Sequence, residues 1–355
     1  MNGPPGDVRG HYEAWPFPAG EHSGREGMML VRRLGQWCSD PGVGPGGPRV
    51  LDAGCGTGHT TVALARRLPG VEFLGVDLSR TSIDIARQLA ERSGLGNVRF
   101  EVADLTTNLA EWGRTSPLEL ESFRAVLALG VLHHVRERDT ALDNLVRLLE
   151  PGGRLALWMY GVHGRRAHAL NQRFVRLLAG RDADGDVLEQ VSRAFVEGMG
   201  ERYLPGSGVY TPVEAGDRPA AWLADHPEWL ADQLFPAFER AVDLDTIFAL
   251  LDSRDLAFEL WLGVPEAPAR WTDHPLLRER MDSLNRRGRL QAIECLLKPP
   301  YYFVVARWQG RKRSDRIVIV LGISGFEDTR RAATPDPYTT RREVDAPFSF
   351  RYGAV

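Results

Sequence analysis

Three glycines on alternate positions, Gly54, Gly56 and Gly58, follow the acid Asp52 in the segment RVLDAGCGTG (49–58). Glycine lacks a Cβ and adopts positive φ easily, so such a turn lets a ligand approach the backbone closely. A helical pattern begins directly after it, and the first turn of a helix presents amide N–H groups to a ligand. The GxGxG spacing differs from the GxGxxG of dinucleotide sites. A phosphate-binding loop would require a Lys-Ser or Lys-Thr pair after the last glycine, and this sequence has neither there.

Two further acids stand at the ends of the next apolar segments. Asp77 comes 19 positions after Gly58, and a carboxylate there can accept hydrogen bonds from both hydroxyls of a ribose. Leu78 can cover one face of an adenine, and Asp104 can accept a hydrogen bond from its exocyclic amine. With the glycine turn, these side chains describe an adenosine site without a pyrophosphate. The alternatives are an ordinary strand–helix connection and, for Asp77, a helix N-cap.

Alternating strand and helix patterns position these side chains. The predicted strands cover 49–54, 72–77, 98–104, 125–130 and 154–161, and the helices cover 60–68, 80–93 and 140–149. Ser79 is suited to be the N-cap of the second helix. Such alternation favours an α/β fold with a doubly wound parallel sheet, in which ligands bind at the carboxyl ends of the strands.

Less regular segments flank this core. The aromatic, proline-broken segment HYEAWPFP (11–18) predicts an extended piece of chain, followed by a helix over 21–37. Beyond residue 161 the predicted helices cover 163–178, 187–195, 244–251 and 274–297, and the strands cover 256–262 and 301–308. We expect an N-terminal arm and lid helix (1–48), a ligand-binding core (49–161), an inserted helical lid region (162–243), the rest of the core sheet with helices (244–309) and a partly disordered tail (310–355) with one strand-like piece (316–324).

The composition argues against several classes of protein. The 355-residue chain has a formal net charge of −3, which gives no electrostatic case for nucleic acid or an anionic membrane as a partner. Its three cysteines, Cys38, Cys55 and Cys295, lie too far apart for a disulfide framework or a zinc cluster, and no metal site is expected. The sequence shows neither a signal peptide nor an apolar run of about 20 residues, so we expect a cytoplasmic protein.

Five motifs together carry a resemblance. LDAGCGTG, GVDLS, the Ala103-Asp104 pair, VLHHV and LLEPGGRL resemble, in order and spacing, the class I S-adenosylmethionine-dependent methyltransferases over about 49–160. HYEAWPFP and DLDTIFALLDSRDLAFELWLG (243–263) resemble flanking parts of a bacterial subgroup. The resemblance implies a mostly parallel seven-stranded sheet, with an N-terminal helical arm and a C-terminal extension as a lid. One departure is Phe123-Arg124, where the family commonly has Phe-Asp.

The resemblance also implies a site for S-adenosylmethionine. The glycine turn with Cys55 would wrap its methionine part, Asp52 would orient the turn and the amine, and Leu129 and Gly130 would lie under the cofactor. Asp77 would hold the ribose, and Asp104 and Leu105 would frame the adenine. Tyr12 is read either as part of a lid over the cofactor or as packing of the arm. Arg25 either pairs with the carboxylate of the cofactor or lies exposed on its helix.

The acceptor side is less well defined by the sequence. His133, His134 and Tyr160 end the fourth and fifth strands, and a histidine there could take a proton from a hydroxyl or amine; the alternative is packing within the loop. The pair Arg165-Arg166 either attracts an acidic acceptor or lies on a solvated face. An aromatic set either walls an acceptor pocket or forms the core of the added region; its members are Tyr210, Trp222, Trp229, Phe235 and Phe238.

These patterns favour a methyltransferase that acts on an oxygen, nitrogen or carbon atom of a small-molecule acceptor, in which positioning and electrostatics supply the rate enhancement. The open alternatives are a methyltransferase acting on RNA or protein and a protein of this fold that binds the cofactor without methylating. A nicotinamide oxidoreductase is disfavoured by the GxGxG spacing. The sequence leaves the identity of the acceptor open. It also leaves open whether the chain forms a homodimer.

Overall fold

A mixed seven-stranded sheet forms the centre of the protein. The computed structural model describes residues 7–17, 25–39, 47–107 and 122–310, so the prediction of a strand-like piece at 316–324 lies outside the described residues. The strands are β1 (Arg49–Ala53), β2 (Glu72–Asp77), β3 (Val98–Val102), β4 (Phe123–Leu129), β5 (Leu149–Tyr160), β6 (Leu256–Trp261) and β7 (Tyr301–Trp308). Their order is β3-β2-β1-β4-β5-β7-β6, and only β7 runs antiparallel to its neighbours. The predicted α/β fold with a mostly parallel seven-stranded sheet is confirmed.

Helices connect the strands and cover the sheet. Those of the N-terminal half are α1 (Val8–Ala14), α2 (Arg25–Cys38), α3 (His59–Arg67), α4 (Arg80–Arg92) and α5 (Arg138–Leu148). Those between β5 and β6 are α6 (Arg166–Ala179), α7 (Gly185–Phe195), the single turn α8 (Glu201–Tyr203), α9 (Pro219–Asp225), α10 (Pro227–Leu234) and α11 (Leu244–Asp252). Before β7 come α12 (Pro275–Ser283) and α13 (Arg286–Leu297). None of the described helices is long and apolar enough to cross a membrane.

The strands are apolar because helices cover both faces of the sheet. In β1, Leu51 packs into one buried cluster and Val50 into another, as expected when successive side chains point to opposite faces. Strand β1 lies between β2 and β4, so the connections after β1 and β4 leave on opposite sides of the sheet. The carboxyl ends of these three strands therefore open a crevice, the usual place for a ligand in such sheets.

Two segments differ from the expected secondary structure. HYEAWPFP begins inside helix α1, which ends at Ala14, so Pro16 follows the helix and does not break it. The helix expected over 274–297 is two helices separated at Leu284 and Asn285. Asn285 caps the second one, because its side chain accepts a hydrogen bond from the amide of Gly288 at 2.8 Å.

The segment 162–242 leaves the sheet and returns to it at one place. The amide of Val162 donates to the carbonyl of Val242 at 2.8 Å, and the amide of Val242 donates to the carbonyl of Tyr160 at 2.9 Å. Between these bonds the segment builds its own buried cluster, which includes Trp229 and Phe235 of the aromatic set. That the segment acts as a lid stays a prediction.

Candidate active site

A cavity of about 500 Å³ lies at the carboxyl ends of β1, β2 and β4. It brings together side chains that are far apart in the sequence; Tyr12 and Asp232, for example, are 220 positions apart. The sequence-predicted residues that line it are Tyr12, Asp52, Gly54, Cys55, Gly56, Asp77, Leu78, Asp104, Leu105, Leu129, Gly130, His134 and Tyr160. The side chain of Arg25 lies outside what the structure describes.

The glycine turn is fastened to the end of β2. The amides of Gly54 and Cys55 both donate to the carbonyl of Val76, at 2.7 and 3.0 Å. Gly54 has φ +77°, and a Cβ at this position would lie 2.5 Å from the side chain of Val131. The backbone therefore needs glycine here both for its conformation and for space.

Asp77 joins this turn to the start of α4. Its Oδ2 accepts a hydrogen bond from the amide of Gly56 and its Oδ1 from the amide of Ser79, both at 2.9 Å. Burial raises the pKa of Asp77, and these two hydrogen bonds oppose the rise. Ser79, and not Asp77, caps α4, because its hydroxyl accepts from the amide of Ser82. Asp77 is therefore left with its carboxylate at the cavity wall.

Asp52 lies beneath the turn and is only 2% exposed. The hydroxyl of Thr61 donates to its Oδ2 at 2.6 Å. Burial raises the pKa of Asp52 to about 6, although the bond from Thr61 favours the charged form. A cationic group placed beside Asp52 would favour the ionised form, as the predicted contact with an amine requires.

Asp104 stands on the loop that follows β3. Its Oδ1 accepts from the amide of Thr106 at 2.9 Å and from the hydroxyl of the same residue at 2.6 Å. Asn144 of α5 fixes this loop, because its side-chain amide donates to the carbonyls of Leu105 and Thr107 at 2.9 and 2.8 Å. The sequence analysis did not identify Asn144, whose only sequence signal is an amide on a buried helix face.

Gly58 does not line the cavity. It has φ +79° and precedes α3, and a Cβ there would lie 2.6 Å from the Cβ of Ala86 and 2.9 Å from the ring of Phe100. Gly58 therefore allows the turn to pack against α4 and β3. The expectation that Gly58 also wraps the ligand stays a prediction.

Helix α1 covers the cavity and is held by polar contacts with the start of α4. The carboxylate of Glu13 accepts hydrogen bonds from the amides of Arg80 and Thr81 at 2.7 and 3.0 Å. The guanidinium of Arg9 donates to the carbonyl of Leu78 at 3.1 Å. Because Arg9 and Tyr12 also line the cavity, the arm forms part of its wall.

The two adjacent histidines have different environments. His133 is fully buried, does not line the cavity, and neither of its ring nitrogens has a hydrogen-bond partner among the described residues. Burial, together with the nearby His134, lowers the pKa of His133 well below its usual value. His134 lines the cavity, and its Nδ1 lies 2.7 Å from the carbonyl of Phe238. Of the two histidines, only His134 therefore lies beside the cavity.

Asp232 of α10 is a site residue that the sequence analysis missed. It is 3% exposed and lines the cavity. The hydroxyl of Tyr12 donates to its Oδ1 at 3.1 Å, and Nε2 of His134 lies 3.6 Å from the same oxygen. Oδ2 accepts from the side-chain amide of Gln233 at 2.7 Å and from the hydroxyl of Tyr160 at 3.4 Å.

The sequence carried one signal for Asp232. An acid and an amide stand side by side, as Asp232 and Gln233, in a part of the helix that is buried and otherwise apolar from Trp229 onward. Buried polar groups of this kind are nearly always hydrogen-bonded, so the pair indicates a polar cluster in the core. The partners on α1 and β5 cannot be read from the sequence, because only the fold brings them together.

Comparisons with known proteins agree with this architecture. The model of a family described as a methyltransferase domain matches residues 50–153. The chain is 31% identical to the methyltransferase GfsG of Streptomyces halstedii, over 41% of this chain and 49% of that protein. It is 36% identical to the tRNA 5-carboxymethoxyuridine methyltransferase of Escherichia coli, over 36% of this chain and 45% of that protein. The chain thus spans about half the length of these relatives.

A solved structure shares the fold over most of the chain. PKMT2 from Rickettsia typhi superposes with a TM-score of 0.55 at 17% identity, covering 79% of this chain and 52% of that one. Its complex with AdoHcy superposes with a TM-score of 0.53. The matched model shows that residues 50–153 form a methyltransferase domain, and the strand order and the similarity to PKMT2 agree with the fold that the motifs imply.

Proposed function

We propose that this protein transfers a methyl group from S-adenosylmethionine to a small-molecule acceptor, at an oxygen, nitrogen or carbon atom. The observation that carries the proposal is a single cavity with two chemically different walls. One wall holds the glycine turn, Asp77 and Asp104, which suit an adenosine and an amino acid. The other holds Tyr160 and Asp232, for which the cofactor motifs of the family assign no role.

The cofactor wall fits S-adenosylmethionine on several independent points. Asp77 uses one lone pair of each oxygen for the amides of Gly56 and Ser79, which leaves acceptor capacity for two ribose hydroxyls. Both bonds to Asp104 go to Oδ1, so Oδ2 is left for an exocyclic amine as far as the described residues go. Leu78 and Leu105 offer apolar contact to an adenine. When bound, S-adenosylmethionine supplies an electrophilic methyl group.

The chain contributes positioning and exclusion of water. Helix α1 lies over the cavity, and α10 supplies two further wall residues, Trp229 and Asp232. Such a covered cavity holds an acceptor in one orientation, which lowers the entropic part of the barrier. Removal of water strengthens the electrostatic contribution of the wall residues to a transition state in which charge moves. A small acceptor fits these dimensions better than an RNA or protein chain.

Isothermal titration with S-adenosylmethionine and S-adenosylhomocysteine tests the cofactor assignment. Asp77→Ala removes the two proposed hydrogen bonds from the ribose hydroxyls to a carboxylate, which are worth roughly 1.5–3 kcal/mol each, and should weaken binding by at least about 100-fold. Asp84→Ala changes an exposed acid on α4 and should leave the affinity unchanged. Absence of binding to the wild-type protein would sink the proposal.

A release assay for S-adenosylhomocysteine then separates the acceptor classes. We expect turnover with members of a panel of small hydroxyl and amine compounds and none with bulk tRNA or a protein extract depleted of small molecules. Turnover with tRNA or protein alone would favour the macromolecular alternative. Tight cofactor binding without turnover of any tested acceptor would favour the alternative in which the protein binds the cofactor without methylating.

A further inference from the structure

The carboxylate of Asp232 reaches the cavity with unused hydrogen-bonding capacity. A carboxylate offers about four lone-pair positions, and two of them receive short bonds, from Gln233 and Tyr12. The other two neighbours, Tyr160 at 3.4 Å and His134 at 3.6 Å, are too distant for strong hydrogen bonds. A ligand that donates a hydrogen bond would complete this arrangement.

The wall around Asp232 is aromatic. Trp158, Tyr210, Trp229 and Phe303 all line the cavity. The ring centroids of Trp158 and Tyr210 are 4.8 Å apart, and those of Tyr210 and Trp229 are 5.9 Å apart. These rings form a continuous surface against which a flat, apolar molecule gains contact area, because aromatic rings pack best with other rings.

The positive side chains that line the described cavity already have partners. Arg9 donates to the carbonyl of Leu78, and Arg136 lies over the ring of Phe238 at 4.7 Å from its centroid. Arg165, behind the wall, is paired with Glu239 at 2.9 Å. An anionic acceptor placed against Asp232 would bring two negative charges together in a buried site, which is unfavourable.

His134 lies next to Asp232 and offers a second acceptor for a proton. When Nδ1 of His134 donates to the carbonyl of Phe238, Nε2 is the nitrogen that faces Asp232. The carboxylate and Nε2 then share one proton position between them. The titratable groups that face this pair from neighbouring elements are Tyr12, Tyr160, His11, His133 and Glu239.

We infer that the acceptor is a flat, apolar molecule that carries a hydroxyl or N–H donor, and that Asp232 binds this donor and, with His134, receives its proton. This inference rests on the proposed function. The oxygen or nitrogen of the acceptor forms the new bond to the methyl carbon while the carbon–sulfur bond breaks, and that electron pair stays on sulfur. The proton of the donor passes to the pair of Asp232 and His134, so charge and atoms balance.

Binding of matched probes to protein saturated with S-adenosylhomocysteine tests the inference without any turnover. The probes are 2-naphthol, which has a donor, 2-methoxynaphthalene, which lacks it, and 2-naphthoate, which is anionic. In titration calorimetry we expect 2-naphthol to bind at least about 10-fold more tightly than either of the other two, because a hydrogen bond to a buried charge is lost with them.

Substitutions at Asp232 test whether this residue causes the preference for 2-naphthol. Asp232→Ala should abolish the advantage of 2-naphthol over 2-methoxynaphthalene, and Asp225→Asn, an exposed acid just before α10, should retain it. Asp232→Asn keeps the shape of the side chain, so it serves as the second variant if the alanine variant does not fold. It should raise the affinity for 2-naphthoate by about 5-fold or more, because the buried negative charge is gone. Equal binding of 2-naphthol and 2-methoxynaphthalene by the wild type, no binding of 2-naphthol, or unchanged preferences in the Asp232 variants would overturn the inference. Retained binding of S-adenosylhomocysteine in the same samples keeps the proposed function separate from this result.

Discussion

Glu13 holds the arm over the cavity, and its replacement should weaken cofactor binding by a predictable amount. Its carboxylate accepts from the amides of Arg80 and Thr81 and from the hydroxyl of Thr81. Those amides belong to the first turn of α4, where the helix itself supplies no partner. The bonds therefore connect α1, which lines the cavity, to the helix that follows Asp77.

The size of the effect follows from the exposure of Glu13. A hydrogen bond to a charged group is worth roughly 1.5–3 kcal/mol when protected from water, and a half-exposed group retains only part of it. We take about 1.5 kcal/mol for the whole carboxylate, which corresponds to about a 10-fold loss of affinity if docking of the arm is required for binding. Glu13→Gln keeps one acceptor oxygen and should lose about 3-fold.

Titration calorimetry with S-adenosylhomocysteine measures this loss, and limited proteolysis reports whether α1 is released. Glu91→Ala changes an exposed acid near the end of α4 and is the matched control. Burial raises the pKa of Glu13, but hydrogen bonds from Thr81 and Arg80 lower it more, so the net shift is downward. The contribution is therefore present above pH 4.5 and fades as the pH falls below that value. An unchanged affinity together with unchanged protection of the arm in Glu13→Ala would refute this reasoning.

Three further predictions concern the core and the turn. Burial raises the pKa of Asp52 to about 6, so its protonated form stabilises the fold at low pH, and this contribution is lost as the pH rises to 6. A cationic cofactor favours the ionised carboxylate, so its binding should release protons near pH 6. Calorimetry detects this release as a heat of binding that depends on the buffer, and Asp52→Asn should abolish that dependence. Gly75→Ala places a Cβ 2.5 Å from the ring of Phe100 and should cost about 1–3 kcal/mol, measured by chemical denaturation with Gly70→Ala, which meets nothing within 4 Å, as the control. Glu239→Gln leaves the buried guanidinium of Arg165 without its counter-charge and should lower the free energy of unfolding by about 3 kcal/mol. Adding Arg165→Met to the same chain should restore part of this stability. Equal melting temperatures of the single and the double variant would contradict the prediction.

The convergence of the predicted acids at one cavity could be predicted because its signals are local. The carboxyl ends of parallel strands meet at one edge of the sheet, so the acids Asp52, Asp77 and Asp104 converge whatever the rest of the chain does. The glycine spacing restricts the turn, and Ser79 sets the start of α4. The packing of Gly58 against α4 and β3 could not be predicted, because a glycine turn does not say whether the missing side chain makes room for a ligand or for a neighbouring helix.

The acceptor half depends on contacts between distant segments. The sequence could not say which of His133 and His134 faces the cavity, because adjacent residues of a turn have no fixed periodicity. Arg165, one half of a basic pair, was expected either on a solvated face or near an acidic acceptor, yet it is 2% exposed and lies over the ring of Tyr160. Helix α1 has only seven residues, too short to be stable alone, so contacts such as that between Tyr12 and Asp232 hold its place.

The return of the segment 162–242 to its point of departure has a consequence for how acceptor preference can change. Tyr210, Trp229 and Asp232 all belong to this segment, whereas the family match ends at residue 153. Because the two ends of the segment are joined by adjacent backbone hydrogen bonds at Val162 and Val242, it can be exchanged as one graft without stretching the sheet. Under the proposed function, natural recombination or laboratory shuffling at these two positions would replace the part of the acceptor wall that this segment supplies and would leave the glycine turn and its acids unaltered.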